Sequence, residues 1–439
     1  VPGGFWRRRA LGDVSARVDR RNDIDVVGVA RFPELAWVNE ILWGGPVEVT
    51  DERCEGLQGG DVLAEFVALP SGRRPHLLIP ADSRAAARSA LRTYMDARRT
   101  VRVGAAGLAL YLRIGALPVV GQRVRVSAAA GRARESGREP ILVEYLREVF
   151  ERTDLEIAIR MGGRRPNRKP VLQILTRSGE LLAYVKVGWN DVTRSLVANE
   201  VAVLRRFAAG AEPTAFTFPT VLHAGTCGEL EVLVMAPVLP VSWLRRVGTE
   251  AELAEVARQI AALTPETREP FGASVYWQET LARLQALHDS VRPSRFEVLA
   301  DLATRLEDEY GKSEIGFGEW HGDWTRWNMG RRDSRIVVFD WERSGRRVPV
   351  GLDAAHFDFD LAVKFHRRAP LYAVRTLLEG GGTMLPHFSS PTVSPRLLLS
   401  LDLLEMVLRY EEARSAGLDV PDTLYFGAFR SAVLSPADP

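Results

Sequence analysis

The chain has 439 residues, 46% of them hydrophobic and 26% charged, with a formal net charge of +2. That length accommodates two or three domains with full cores, and the even charge balance gives no support for nucleic acid or an acidic membrane as the main partner. Two cysteines, Cys54 and Cys227, make neither a disulfide framework nor a zinc site, which fits a reducing, cytoplasmic setting. The most apolar run, residues 105–120, is broken by Arg113 and falls short of the roughly 20 residues needed to span a bilayer. The start, Phe5-Trp6 followed by Arg7-Arg8-Arg9, lacks the apolar stretch of a secretory signal, so neither export nor anchoring is expected. One compositional oddity bears on function. Of 58 basic residues only Lys169, Lys186, Lys312 and Lys364 are lysine, and a lysine kept in such an Arg-rich chain marks a place where a compact point charge is wanted.

In chain order, residues 62–70 and 75–80 alternate as a hairpin around Ser71-Gly72, and Asp82-Ser83 caps a helix predicted to run to about Ala97. More helix is predicted from Ala105, a short strand at residues 123–127, and a Gly/Arg/Ser linker from Ala128 to Glu139. A helix over 141–150 carries Leu142, Leu146 and Val149 at helical spacing. Together these residues read as an α+β module, residues 1–150, whose role the sequence leaves open.

From Asp154 the pattern changes to short strands. Residues 155–160 and 170–176 flank the loop Met161-Gly162-Gly163-Arg164-Arg165, where glycine lets backbone amides approach a phosphate and arginine adds charge-assisted contacts. A plain hairpin turn is the alternative for that loop. Residues 181–187 alternate and place Lys186 amid apolar neighbours; Asp191 or Thr193 then caps a helix to about Phe207. Glu200 falls on that helix's apolar stripe with Leu196, Val197, Val201 and Leu204. A carboxylate there costs several kcal/mol unless a cation meets it, and Lys186 is the natural one. Strands over 220–224 and 230–235 follow, then helices over 251–263, 276–288 and 294–310.

The stretch Trp320-His321-Gly322-Asp323-Trp324-Thr325-Arg326-Trp327-Asn328, followed by an apolar strand ending Asp340-Trp341-Glu342, carries the chemistry. Phosphoryl transfer needs one carboxylate to orient the acceptor hydroxyl, with an amide and a second carboxylate to hold magnesium ions against the phosphates. Asp323, Asn328 and Asp340 fit those three roles, and the five-residue step from Asp323 to Asn328 is that of the protein-kinase catalytic loop. By itself a His-Gly-Asp triplet is a turn with a capping acid; the spacing to Asn328 and the strand-borne Asp340 are what lift it above that.

On these residues the chain resembles the aminoglycoside phosphotransferase and choline kinase-like group of small-molecule kinases. The resemblance covers roughly the last two-thirds of the chain, with Arg326 standing where the group often has proline. It implies that Asp323 is the catalytic base, that Asn328 and Asp340 bind metal, and that Lys186 with Glu200 positions the nucleotide phosphates. It also implies that Met235-Ala236-Pro237-Val238 is the hinge against which adenine binds, with Gly162 and Gly163 over the phosphates. An acid after Asp340 braces the catalytic loop in that group; Asp353, Asp358 and Asp360 compete for the role. His321 is expected to support the loop.

The expected architecture is therefore an α/β, bilobal protein kinase-like fold, with a small lobe over 151–240, a large lobe over 241–439 and the extra N-terminal α+β domain. The expected activity is transfer of the γ-phosphoryl of ATP, with Mg²⁺, to a hydroxyl of a small molecule, with no nucleic acid and no membrane as partner. Two alternatives stand beside it: a nucleotide-binding pseudokinase acting through a protein partner, and a nucleotidyl transferase on the same fold. From Trp341 onward 12 acidic residues face 11 basic ones, no excess suited to a polycationic aminoglycoside. Trp324 and Trp327 beside Asp323 suggest instead a stacking wall for a sugar-containing acceptor.

Overall fold

The computed structural model describes residues 33–44, 47–51, 62–69, 75–93, 121–128, 141–161, 168–210, 212–238, 248–332, 334–390, 393–417 and 424–435. The first part of the chain supplies α1 (Pro33–Trp43), β1 (Val47–Asp51), β2 (Val62–Leu69), β3 (Leu77–Pro80), α2 (Arg84–Arg92), β4 (Gln122–Ala128) and α3 (Leu142–Phe150). Next come β5 (Leu155–Met161), β6 (Pro170–Thr176), β7 (Leu181–Gly188), α4 (Asp191–Ala209), β8 (Phe216–Thr217), β9 (Val221–Cys227) and β10 (Leu230–Met235). The remainder is mostly helical: α5 (Glu250–Ala261), β11 (Thr267–Pro270), α6 (Val275–Ala286), α7 (Pro293–Tyr310), β12 (Glu314–Trp320), β13 (Met329–Arg332), β14 (Arg335–Val338) and β15 (Gly345–Pro349) lead to α8 (Leu352–Asp360), α9 (Pro370–Leu378), α10 (Pro395–Ser415) and α11 (Leu424–Leu434).

Nine strands form one antiparallel sheet in the order β1-β4-β2-β3-β5-β6-β7-β10-β9. The hairpin read over 62–80 is β2 and β3, and β3 pairs onward with β5 through Leu77 with Arg160 and Leu78 with Ile159. The N-terminal strands thus extend the small-lobe sheet edge to edge, across residue 150, where the sequence shows only a change of pattern. Both faces are covered, and the period of two explains how. Phe66, Ala68, Leu78, Ile157 and Ile159 face a core closed by Leu35, Val38 and Leu42 of α1 and Leu142 and Leu146 of α3. Val67, Leu69, Leu77, Ile79 and Ala158 face Ala86, Ala87, Ala90 and Leu91 of α2. Ser83 caps α2 by accepting the Ala86 amide at 3.1 Å. The helix predicted from Ala105, the linker read from Ala128 to Glu139 apart from Ala128 itself, which ends β4, and Gly162 with Gly163 lie outside the described residues.

The same alternation sets the site. Val185 and Val187 of β7 point into the sheet's core with α1 and α3, so Lys186 points the other way, toward α4. The α4 N-cap is Asn190, one residue ahead of the acid named from sequence; its Oδ1 accepts the Thr193 amide at 2.8 Å while Thr193 Oγ1 accepts the Asn190 amide at 3.0 Å. Gly188 makes the strand-to-helix turn possible, since a Cβ there would lie 2.6 Å from the Arg194 Cα.

The large lobe packs α6, α7, α9, α10 and α11 around one core that includes Trp277, Leu299, Leu352, Phe359, Leu397, Leu401 and Phe429. A second core joins the lobes: Val197, Val201 and Leu204 of α4 and Leu233 of β10 meet Ala254 and Ala257 of α5, Trp324, Met329 and Trp341. Two short sheets, β11-β12-β15 and β13-β14-β8, hold the loops that this core anchors. Among the described residues no helix is long and apolar enough to cross a membrane.

Candidate active site

The loop after β12 is fixed from below. Gly322 takes φ +80°, and a Cβ there would lie 2.3 Å from the Arg343 carbonyl oxygen, so glycine alone fits. Asp353, at the start of α8, accepts the His321 and Gly322 amides at 2.7 and 3.0 Å. Of the three acids weighed for that bracing role, Asp353 makes these contacts; Asp358 accepts the amides of Thr383, Met384 and Leu385, and Asp360 pairs with Lys364. Burial raises Asp353 above its ordinary range, against the pull of the two amides it accepts. His321 Nδ1 accepts the Asp323 amide at 3.2 Å and its Nε2 donates to the Phe339 carbonyl at 2.8 Å, a pairing that assigns the neutral tautomer protonated at Nε2. It ties the loop to the end of β14. Arg409 of α10 adds a bond to the Gly322 carbonyl at 2.7 Å.

This bracing presents Asp323 with 38% of its side chain exposed. Asn328 Nδ2 donates to the Asp323 carbonyl oxygen at 2.8 Å and to Oδ2 at 3.0 Å, so its amide nitrogen is committed and its oxygen is the end it can offer a cation. His356 Nε2 lies 3.3 Å from Asp323 Oδ1. Although burial pulls the other way, the His356 hydrogen bond and charge hold Asp323 below the usual carboxylate range.

Facing it is a cluster contributed by both lobes. Lys186 Nζ donates to Glu200 Oε1 and Oε2 at 2.8 and 2.6 Å and to Asp340 Oδ1 at 2.6 Å. Glu200 is fully buried, and the Trp341 amide adds a bond to it at 3.2 Å. Asp340 sits in the left-handed region at φ +69°, a strained setting for a non-glycine residue, and keeps 34% of its side chain exposed. Burial opposes charge on Lys186, yet Asp340, Glu200 and Glu342 push its pKa up; Asp340 is driven down against its own burial by Lys186 and Lys169. Glu342, paired with Lys169, is pushed up to about 7 by burial and by the Asp340 charge.

The lobes are tied beside this cluster. Asn199 of α4 donates to the Glu342 and Ser344 carbonyl oxygens, each at 3.0 Å, and Arg206 makes a two-pronged pair with the buried Glu319 at 2.8 and 2.7 Å.

The structure thus brings Asp323, Asn328, Asp340, Lys186 and Glu200 to one cleft. Met235, expected at a hinge, ends β10, but its side chain belongs to the interlobe core and the next amide, Ala236, donates to the Thr220 carbonyl at 2.9 Å. With Pro237 lacking an N–H, two hinge amides are committed or absent. Trp324 departs from the sequence expectation. It is fully buried, with Nε1 donating to the Met329 sulfur and its ring against Phe357, so it is core and forms no wall; Trp327 stays half-buried with Lys364 Nζ 5.5 Å from its ring.

Five side chains escaped sequence reasoning: Lys169, Glu342, His356, Lys364 and Asp402. For Lys169 and Lys364 the signal was present in the scarcity of lysine, since three of the four lysines stand in or beside this cleft. For His356 and Asp402 there was none, because their meeting depends on how α8 packs on α10.

Carboxylate oxygens of Glu200, Asp340 and Glu342 all lie within 4.8 Å of one another. Oxygen donors are what a hard divalent cation such as Mg²⁺ prefers, but Glu200 and Glu342 are already met by Lys186 and Lys169, so of the three Asp340, 34% exposed, is the one with surface to offer.

No protein-family model matches the chain, and no curated protein matches it. Solved structures do resemble it. An aminoglycoside phosphotransferase in complex with gentamicin is similar at 12% identity and TM-score 0.43, over 69% of this chain and 98% of that one. A putative fructosamine-3-kinase from Haemophilus somnus is similar at 11% identity and TM-score 0.39, over 66% and 94%. An amicoumacin kinase in complex with AMP-PNP, Ca²⁺ and Ami is similar at 12% identity and TM-score 0.38, over 63% and 87%.

Proposed function

We propose that this chain is an ATP-dependent phosphotransferase that moves the γ-phosphoryl group to a hydroxyl of a small molecule, with Mg²⁺ as the metal. The observation that carries this reading is the single cleft at the lobe junction in which Asp323 and Asn328 of the large lobe stand with Asp340 of the same lobe and with Lys186 and Glu200 of the small one. Each group then has one task. Lys186, aligned by Glu200, contacts phosphate oxygens as a compact charge. Asp340 and the Asn328 oxygen are the residues that would hold Mg²⁺, which when bound neutralises the phosphates. Asp323 orients the acceptor hydroxyl; as the acceptor oxygen bonds to phosphorus, the bridging bond breaks with its electron pair leaving on ADP, and the hydroxyl proton passes to Asp323.

The acceptor is read as a neutral or weakly charged hydroxylated molecule such as a sugar-containing metabolite. A polyamine entering the cleft needs unpaired carboxylates, whereas several acids of the large lobe are already met: Glu405 and Glu412 by Arg283, Glu411 by Arg414, Asp358 by backbone amides. Cations stand beside the loop instead, with Lys364 over Trp327 and Arg326 4.8 Å from the Phe365 ring. The test is calorimetric titration with MgATP, followed by a screen of sugars, glycosides and kanamycin-type antibiotics with labelled ATP. Binding of MgATP and labelling of neutral acceptors is expected. Labelling confined to kanamycin-type substrates would overturn the acceptor class, and no nucleotide binding would overturn the whole reading.

A further inference from the structure

Behind the base lies a buried ionic chain that the five-residue site does not include. Asp402 sits in the run Leu401-Asp402-Leu403-Leu404 of α10 and is 1% exposed. Its Oδ1 lies 3.0 Å from His356 Nδ1, and its Oδ2 has no hydrogen-bond partner among the described residues. The opposite ring nitrogen of His356 faces Asp323 Oδ1 at 3.3 Å. An ionised carboxylate oxygen only accepts, so an imidazole between two of them satisfies both only by donating from both nitrogens, as imidazolium. A neutral ring would set a nitrogen lone pair against an oxygen lone pair and leave a carboxylate buried among leucines without its counter-charge.

We propose that His356, held as a cation by Asp402, is a positioning residue for phosphoryl transfer, fixing the plane of the Asp323 carboxylate from behind while Asn328 holds it from the side. This rests on the phosphotransferase reading for its consequence and on geometry alone for its existence. The other charged or titratable groups around His356 are His321 on the loop and Asp353 and Asp360 on its own helix, the last paired with Lys364 on the π-helical continuation of α8. Burial works against the charge on His356, and Asp402 and Asp323 more than reverse it, pushing the ring up to about 10.

The test uses the full chain with isotope-labelled histidine, the His356 signal being assigned by its loss in His356→Gln. His356 should remain doubly protonated up to about pH 8, and in Asp402→Asn its midpoint should fall by about one unit or more. In phosphoryl transfer, His356→Gln should lower kcat about tenfold or more with KM for ATP unchanged. The acid limb of its pH profile should move upward, because Asp323 has lost the neighbouring cation. A merely structural histidine would leave that limb in place. MgATP titration checks that each variant is folded. A neutral His356 at pH 7 overturns the ionic chain, and an unmoved acid limb overturns the positioning role. Absence of transfer by the unaltered chain overturns the phosphotransferase reading and the positioning role with it, while the resonance measurement still decides whether the cation exists.

Discussion

The cleft is lined by two charge clusters of opposite construction. On the side proposed to hold the nucleotide, Lys186 and Glu200 come from the small lobe and Asp340 and Glu342 from the large one, so the cluster exists only when the lobes are together. On the base side, Asp323, Asn328, His356 and Asp402 all belong to the large lobe, braced by Asp353 and Arg409 from its own helices. The nucleotide side therefore depends on lobe packing through Asn199 and Arg206, whereas the base side is built in advance within one lobe. The proposed transfer asks for this division: a nucleotide admitted between the lobes and a base kept in register.

The largest effect should come from the base side. Asp323→Asn should lower kcat by on the order of 10² to 10⁴ while MgATP titration stays close to that of the unaltered chain. Asp340→Asn, on the other side, should lose metal-dependent nucleotide binding as well. Equal loss of nucleotide binding in both variants would erase the distinction between the clusters.

Next comes Lys186→Met. It strands Glu200, fully buried, and Asp340 without their cation, and breaking such a pair costs roughly 3–5 kcal/mol. Chemical unfolding should register much of that, and ATP kinetics should weaken with it. Unchanged stability and unchanged kinetics would reduce Lys186 to an ordinary strand residue.

A pH series sharpens the comparison further. His356 is raised in the folded state, so its contribution to stability is fully present below its ordinary value near 6.5 and is lost as pH rises toward about 10. Thermal melts of the unaltered chain should fall across that window, and His356→Gln should flatten the slope. Glu342 is also raised, but it is an acid: its ionised form is the one the fold disfavours, so stability is lost as pH rises from about 4.5 to about 7. Glu342→Gln should remove that smaller slope and leave the alkaline one untouched. Identical slopes in both variants would show that neither group titrates as its surroundings require.

How much of this was legible in the sequence follows from how local each signal is. Ser83 announces its helix because capping is a matter of three residues, whereas at the next helix the same local reading named Asp191 or Thr193 and the cap is Asn190. Lys186 and Glu200 could be paired because a charge on an apolar strand and a charge on an apolar stripe each demand a partner. The step from Asp323 to Asn328 is local too, and the amide does reach the carboxylate. Long-range packing is where sequence reading stopped. Nothing in residues 77–80 says that β3 will pair with β5, so the continuity of the nine-stranded sheet was invisible. Trp324 and Trp327 look alike in sequence, yet one fills the interlobe core and the other stands half-buried beside Lys364. His356 and Asp402 meet across two helices 46 positions apart.

The central claim is that both clusters serve one transfer of the γ-phosphoryl group, and mass analysis of the reaction product tests it most directly. With MgATP and a hydroxylated acceptor, the acceptor should gain one phosphate, ADP should appear in equal amount, and Asp323→Asn should abolish both. An acceptor that gains a whole AMP, or a chain that binds MgATP yet leaves every acceptor unmodified, would contradict it.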